Sequence, residues 1–282
     1  MRKSLAFNVF IYAAAAFASV VILAPFAWLV ISSVAAPADL LTIPLRWIPA
    51  HASLSRYADI IFGANSDTVV TFRAAMLNSA IVAASSVLIS LGVGIFGAYA
   101  FARLRFRFQR AILLIFLSTY MLPPIAILIS LYLTMVQLHL LDTKLGLILV
   151  YCSFITPFVL WIMSGYFRSI PRDLEDAARI DGCSRIGALF RVVIPLARPG
   201  LLATALFGFL LAWDEFLYAL VFTSSLNAKT IPVAIAEFTG RHAVDFGMMA
   251  TGGVLASLPP LLIAFMFQRY IVGGLASGAV KG

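Results

Sequence analysis

Residues 74–102 read AAMLNSAIVAASSVLISLGVGIFGAYAFA, a run without Asp, Glu, Lys or Arg that is closed at its ends by Arg73 and Arg103. A hydrocarbon core about 30 Å thick takes roughly 20 apolar residues in helical form, so this run crosses a bilayer as one helix. Small residues recur at every fourth place along it, and Ser86, Ser90, Gly94, Ala98 and Ala102 make one ridge. Such a ridge predicts that another helix packs closely against it. Gly92, Gly94 and Gly97 also spell GxGxxG. That fingerprint holds a dinucleotide only after a strand and at the start of a soluble helix, which an apolar span does not provide.

Similar runs lie at about 9–34, 111–138, 145–167, 199–223 and 246–267. With 62% hydrophobic residues, 11% charged residues and a mean hydropathy of +1.02, the chain is too apolar to present a wetted surface. An all-α integral membrane fold follows, with six transmembrane helices in a single domain over 1–282 and no length left for a separate soluble domain. The start, Met1-Arg2-Lys3 before an apolar stretch, superficially matches a signal peptide. The stretch is too long for an h-region, and an uncleaved first helix is expected. Cys152 and Cys183 form neither a disulfide framework nor a metal set, and His51, His139 and His242 fall on separate loops, so no metal site is expected.

Positive loops stay in the cytoplasm. Fourteen of the 20 Lys and Arg residues fall on one side, in the 103–110 and 168–198 loops and at the two ends; six fall on the other. Both termini and the 168–198 loop are therefore expected to be cytoplasmic. The net charge of +8 reflects this topology rather than nucleic-acid binding. Prolines at 25, 123–124, 157 and 259–260 remove backbone donors and kink their spans, as ordinary bundles and cavity-enclosing bundles both require.

The long loop reads SIPRDLEDAARIDGCSRIGALFRVVIP over 169–195. Its pattern predicts two short helices. Ser169 and Pro171 suit the start of the first, and Asp173, Glu175 and Asp176 complement its dipole. Gly182 supplies a left-handed stop, Ser184 caps the second helix and Pro195 ends it. Such a knob fits either a docking surface or an amphipathic connector on the membrane surface. Asp214 and Glu215 lie about 15 residues into the fifth span, about 22 Å from its inner end at 1.5 Å per residue. Charges there cost about 2.5–3.5 kcal/mol each, so they should face protein or water. They either line or brace an outer gate, or serve a structural role at a helix end.

The stretch Asp176-Ala177-Ala178-Arg179-Ile180-Asp181-Gly182, followed after nine residues by Val192-Val193-Ile194-Pro195, resembles the EAA loop of binding-protein-dependent ABC importer permeases. Asp176 stands for the family's lead glutamate and Cys183 for its usual alanine. Trp213-Asp214-Glu215-Phe216 and the ending from Gln268 to Gly282 resemble the carbohydrate uptake permeases of the maltose and trehalose type. The resemblance covers nearly the whole chain and implies a type I ABC importer permease fold in a bacterial inner membrane.

That resemblance implies a division of labour. Glu175, Asp176, Ala177, Ala178, Asp181, Gly182, Phe190 and Pro195 would form the coupling loop that enters an ATPase subunit. Gly278, Lys281 and Gly282 would reach the same partner, and Trp213, Asp214, Glu215 and Phe216 would belong to the pathway or gate. The implied partners are a homologous sister permease in a heterodimer, two ATPase subunits, an extracytoplasmic sugar-binding protein touching the 224–245 loop, and membrane lipid. ATP and Mg would bind the ATPase, since this chain has no GxxxxGK[ST] and no catalytic residues of its own. A self-contained secondary transporter or channel would need an internal repeat and paired intramembrane charges, and a membrane enzyme would need a convergent polar cluster. One acidic pair, with no obvious repeat, favours the importer subunit.

Overall fold

The computed structural model describes residues 5–44, 46–63, 67–238 and 245–279. In chain order the helices are α1 (Leu5–Val34), α2 (Pro37–Leu40), α3 (Ser55–Phe62), α4 (Asp67–Arg103), α5 (Gln109–Ser118), α6 (Pro124–Gln137) and α7 (Lys144–Ser169). There follow α8 (Arg172–Ile180), α9 (Arg185–Ala188), a π turn (Leu189–Val193), α10 (Ile194–Leu196), α11 (Arg198–Trp213), α12 (Leu217–Phe222), α13 (Ile231–Ala236) and α14 (Phe246–Ala279). Among the described residues the one β-type pairing is an isolated bridge between Ala35 and Ala52.

Among the described residues, four stretches are long and apolar enough to span a membrane: Phe7–Val34, Val69–Arg103, Lys144–Ser169 and Phe246–Gln268. The count becomes six if each of two bent pairs is one span. The stretch expected as a straight helix over 111–138 is instead broken, with α5 and its 3-10 end meeting α6 at 95°. The break falls at Pro123 and Pro124, whereas α14 runs on through Pro259 and Pro260. The residue before a proline is pushed out of the helical region, and Leu122 sits at φ −76°, ψ 123°. A second bend of 79° separates Arg185–Leu196 from α11, just after Pro195. The stretch expected over 199–223 is also interrupted: α11 stops at Trp213 and α12 begins at Leu217.

The chain divides into two compact units, Met1–Arg73 with Ala234–Leu258, and Ala74–Val233 with Pro259–Gly282. In the first, most of α1 is exposed, with Phe10, Tyr12, Phe17 and Ile22 all turned outward, as a lipid-facing helix requires. Its far end carries the packing. Ser33 hydrogen-bonds Tyr57 at 2.6 Å, and the Ser33 and Ala35 carbonyls accept from the Arg56 guanidinium at 3.2 and 2.8 Å. Thr251 donates to the Ser33 carbonyl at 3.2 Å. Arg73 closes α3 by donating to the carbonyls of Ile60 and Gly63 at 2.7 and 3.0 Å.

The second unit is built on α4 against α7. The ridge of small residues is the contact face: Ser86, Ser90 and Ala98 are fully buried. A Cβ on Gly94 would lie 2.6 Å from Val159 Cγ1, and one on Gly97 3.0 Å from Leu160 Cδ1. The GxGxxG glycines therefore include two packing points. Thr156 adds a hydroxyl bond to Ser90 at 3.1 Å across the same seam. Helix α11 packs on the pair, where Gly208 meets both Ile155 of α7 and Val87 of α4 and the Thr204 hydroxyl reaches Met163 Sδ at 3.5 Å.

Candidate functional site

Three constructions in the second unit carry polar groups that packing alone does not explain. The first is the knob of α8 to α10. Helix α8 starts after Pro171 rather than at Ser169, whose hydroxyl turns back to the Tyr166 carbonyl at 2.8 Å. Gly182 has φ +90°, the left-handed region that suits glycine, and it makes the corner. Ser184 caps α9 by accepting from the Gly187 N–H at 3.0 Å. Ala188, Leu189 and Val193 then form a buried floor.

Helix α8 exposes charged and apolar residues alike and buries one residue, a glutamate. Glu175 is buried, 7% exposed, while Leu174, Ile180, Ile186 and Phe190 are 46%, 86%, 62% and 52% exposed. Glu175 pairs with Arg103 at the end of α4, Nε to Oε2 2.8 Å, and accepts from the Tyr99 hydroxyl. Arg103 also donates to the Ile170 carbonyl at 3.0 Å, and Arg172 to the Ala102 carbonyl at 3.3 Å. The buried charge is thereby paired and hydrogen-bonded, which its burial requires. Of the predicted coupling residues, Glu175 is thus an internal anchor. Asp176, Ala177, Asp181, Gly182 and Phe190 are exposed, and Ala178 and Pro195 are half-buried. Asp176 meets Arg179 at 3.5 Å on the surface, and Phe190 packs edge-on against Phe96.

The second construction is the break between α11 and α12. Trp213 is buried and stacks on Phe209 at 5.3 Å; Asp214 and Phe216 are exposed. Glu215 caps the new helix: its carboxylate accepts from the Tyr218 and Ala219 N–H groups at 2.8 and 3.1 Å, and from the Tyr151 hydroxyl at 2.8 Å. The acidic pair therefore splits into one exposed and one satisfied carboxylate at a helix interruption, not within a continuous span. A cavity of about 430 Å³ opens beside it, lined by Tyr120, Phe154, Glu215 and Tyr218 among others.

The third is the turn after α12. Asp142 Oδ1 accepts from the Ser224 and Ser225 N–H groups at 2.9 and 3.0 Å, and Oδ2 from the Ser225 hydroxyl at 2.5 Å. Lys144 donates to the Asn227 carbonyl at 2.6 Å, and Asn78 to those of Leu226 and Lys229 at 2.9 and 3.0 Å. Burial pushes the Asp142 carboxyl up, but those three hydrogen bonds and the Lys229 charge outweigh it and hold the group below its ordinary range.

Sequence reasoning missed Arg103, Tyr99, Asp142 and Asn78. Each works through a partner at least 72 residues away, and no local pattern marks that. The backbone of α14 runs through Gly278; Lys281 and Gly282, like His242, lie outside the described residues.

Residues 90–276 match the family described as binding-protein-dependent transport system inner membrane component. The trehalose/maltose transport system permease protein of Thermococcus litoralis is 34% identical over 283 residues, covering 100% of this chain and 100% of that protein. The sulfoquinovosyl glycerol transport system permease protein of Agrobacterium fabrum is 35% identical, covering 92% of this chain and 88% of its own. Among solved structures, a bacterial ABC transporter that imports the acidic polysaccharide alginate superposes with a TM-score of 0.75 at 22% identity. That match covers 96% of this chain and 99% of the transporter chain, and at such identity it speaks for the fold.

Proposed function

The chain belongs to the binding-protein-dependent transport system inner membrane component family, and from that membership we propose that it is the sugar-pathway half whose 168–198 knob couples a separate ATPase to alternating access. The sugar class is supported by relatives whose names give trehalose/maltose and sulfoquinovosyl glycerol as their cargo. The exposed apolar residues of α8 carry the coupling assignment. A helix that buries its glutamate and exposes Ile180 and Leu174 leaves apolar surface that gains most by docking into a partner. The excess of Lys and Arg around the knob supports its placement in the cytoplasm.

The remaining parts follow the same logic. A sister permease completes the pathway in a heterodimer, two ATPase subunits bind ATP and Mg, and the end of the chain at Gly278, Lys281 and Gly282 adds to their contact. The 224–231 segment, stitched by Asp142, Lys144 and Asn78, offers a fixed surface to an extracytoplasmic binding protein. Trp213, Asp214, Glu215 and Phe216, at the interruption between α11 and α12, act at the gate. ATP closure then shifts the bundle only by the difference in affinity between its two states.

The test is copurification of this chain with the permease and ATPase encoded beside it. Asp176→Arg reverses an exposed charge. Gly182→Pro is incompatible with φ +90°, since proline holds φ near −65°. Wild type should retain the ATPase in detergent and both variants should lose it; equal retention by all three would sink the coupling assignment.

A further inference from the structure

A basic cavity lies at the root of the knob and takes in Arg105 and Arg110, to which neither coupling nor packing is assigned above. A cavity of about 480 Å³ is lined by four arginines, Arg105, Arg110, Arg168 and Arg172, with Leu104, Leu113 and Leu114 among its apolar walls. The arginines come from four places: the residues just past α4, the first turn of α5, the last turn of α7 and the first residue of α8. None of the four forms an ion pair with a carboxylate among the described residues. Two are held in place through the backbone, Arg168 donating to the Phe101 carbonyl at 3.2 Å and Arg172 to that of Ala102 at 3.3 Å. Arg107, by contrast, is turned onto the Phe108 ring at 4.9 Å and does not line the cavity.

Four exposed guanidinium groups around one cavity repel one another, an anion relieves that repulsion, and the planar fork of arginine matches phosphate oxygens. The place decides which phosphate. Helices α4 and α7 are each long enough to cross the hydrocarbon, and the cavity lies at their ends, where headgroups lie. Exposed Leu114 and half-exposed Leu104 offer the apolar side that an acyl chain needs. We propose that Arg105, Arg110, Arg168 and Arg172 bind the phosphate headgroup of an anionic phospholipid, with α5 beside its chain. Basic pockets between transmembrane helices take such headgroups. Because Arg168 and Arg172 flank the hinge from α7 into α8, the bound lipid fixes the root of the knob.

The test is native mass spectrometry of the full chain purified with its partner subunits, delipidated and titrated with phosphatidylglycerol or phosphatidylcholine. Wild type should prefer phosphatidylglycerol about tenfold, and the Arg105→Gln/Arg110→Gln pair, whose arginines make no side-chain hydrogen bond among the described residues, should lose that preference by about the same factor. Arg46→Gln, outside the cavity, should behave as wild type. Equal retention of both lipids by wild type, or unchanged preference in the double variant, overturns the proposal. So does full displacement of the lipid by millimolar inorganic phosphate, which marks a site for a soluble anion. Loss of the ATPase with lipid preference intact also overturns it, by marking a protein-docking patch.

Discussion

Removing the Arg103 side chain isolates a buried charge, and the size of the effect follows from the pair's surroundings. Both side chains are under one tenth exposed and meet at 2.8 Å. Breaking a buried ion pair by deleting one partner costs about 3–5 kcal/mol. The Tyr99 hydroxyl still donates to Glu175 after Arg103→Ala, so the lower end, about 3 kcal/mol, applies. At about 1.4 kcal/mol per factor of ten, α8 should then open about a hundredfold more often. Amide hydrogen exchange over residues 172–180 reads this directly: about a hundredfold faster in Arg103→Ala, within about twofold of wild type in Asp176→Asn. The Arg103→Leu/Glu175→Leu pair should recover most of the protection, because apolar groups of similar volume replace a buried pair at little cost. Exchange within about threefold of wild type in Arg103→Ala would refute the anchor and return Glu175 to the docking face.

Three further outcomes are expected. Gly94→Leu drives a side chain into Val159 Cγ1, 2.6 Å from where its Cβ would sit; the overpacking should cost about 1–3 kcal/mol and lower the thermal midpoint in detergent, and an unchanged midpoint would contradict the α4–α7 contact. The Asp142 carboxyl is held below its ordinary value, so its stabilising contribution is complete above the unfolded value of about 3.9 and is lost as pH falls through the lower folded value. Thermal midpoints measured from pH 6 downward should fall more steeply in wild type than in Asp142→Asn, and parallel curves would remove that role. Glu215→Gln, which weakens the cap of α12, should slow uptake in reconstituted vesicles with the complex intact, whereas Asp214→Asn should change it less; equal effects would argue against the cap.

The spans and the close helix seam were legible because they are dictated locally. A bilayer demands an apolar run of fixed length, and the spacing of Ser86, Ser90, Gly94 and Ala98 marks the approaching face whatever the partner is. Ser184 and Gly182 were legible for the same reason, since caps and left-handed corners depend on one or two residues. Breaks were read too weakly. The sequence marks Pro123–Pro124 and Pro259–Pro260 alike as kinks, yet the chain turns by 95° at the first pair while α14 runs on through the second, so a proline pair alone does not tell a bend from a break. The interruption after Trp213 was hidden because the Glu215 carboxylate stands in for backbone partners. The inward turn of Glu175 was hidden because its reason, Arg103, lies 72 residues earlier.

The seam of Gly94, Gly97, Val159 and Leu160 also settles which parts of the second unit can bend. Two rods meshed at sub-side-chain spacing resist sliding and twisting past each other, so bending is expected at the breaks by Pro123, Ala197 and Asp214 to Phe216. Helix α7 has 26 residues, about 39 Å at 1.5 Å per residue, so a tilt of about 10° at its knob end sweeps its far end through about 7 Å. Under the proposed coupling, a small rocking of the knob would be geared up into a displacement comparable with the width of a sugar ring.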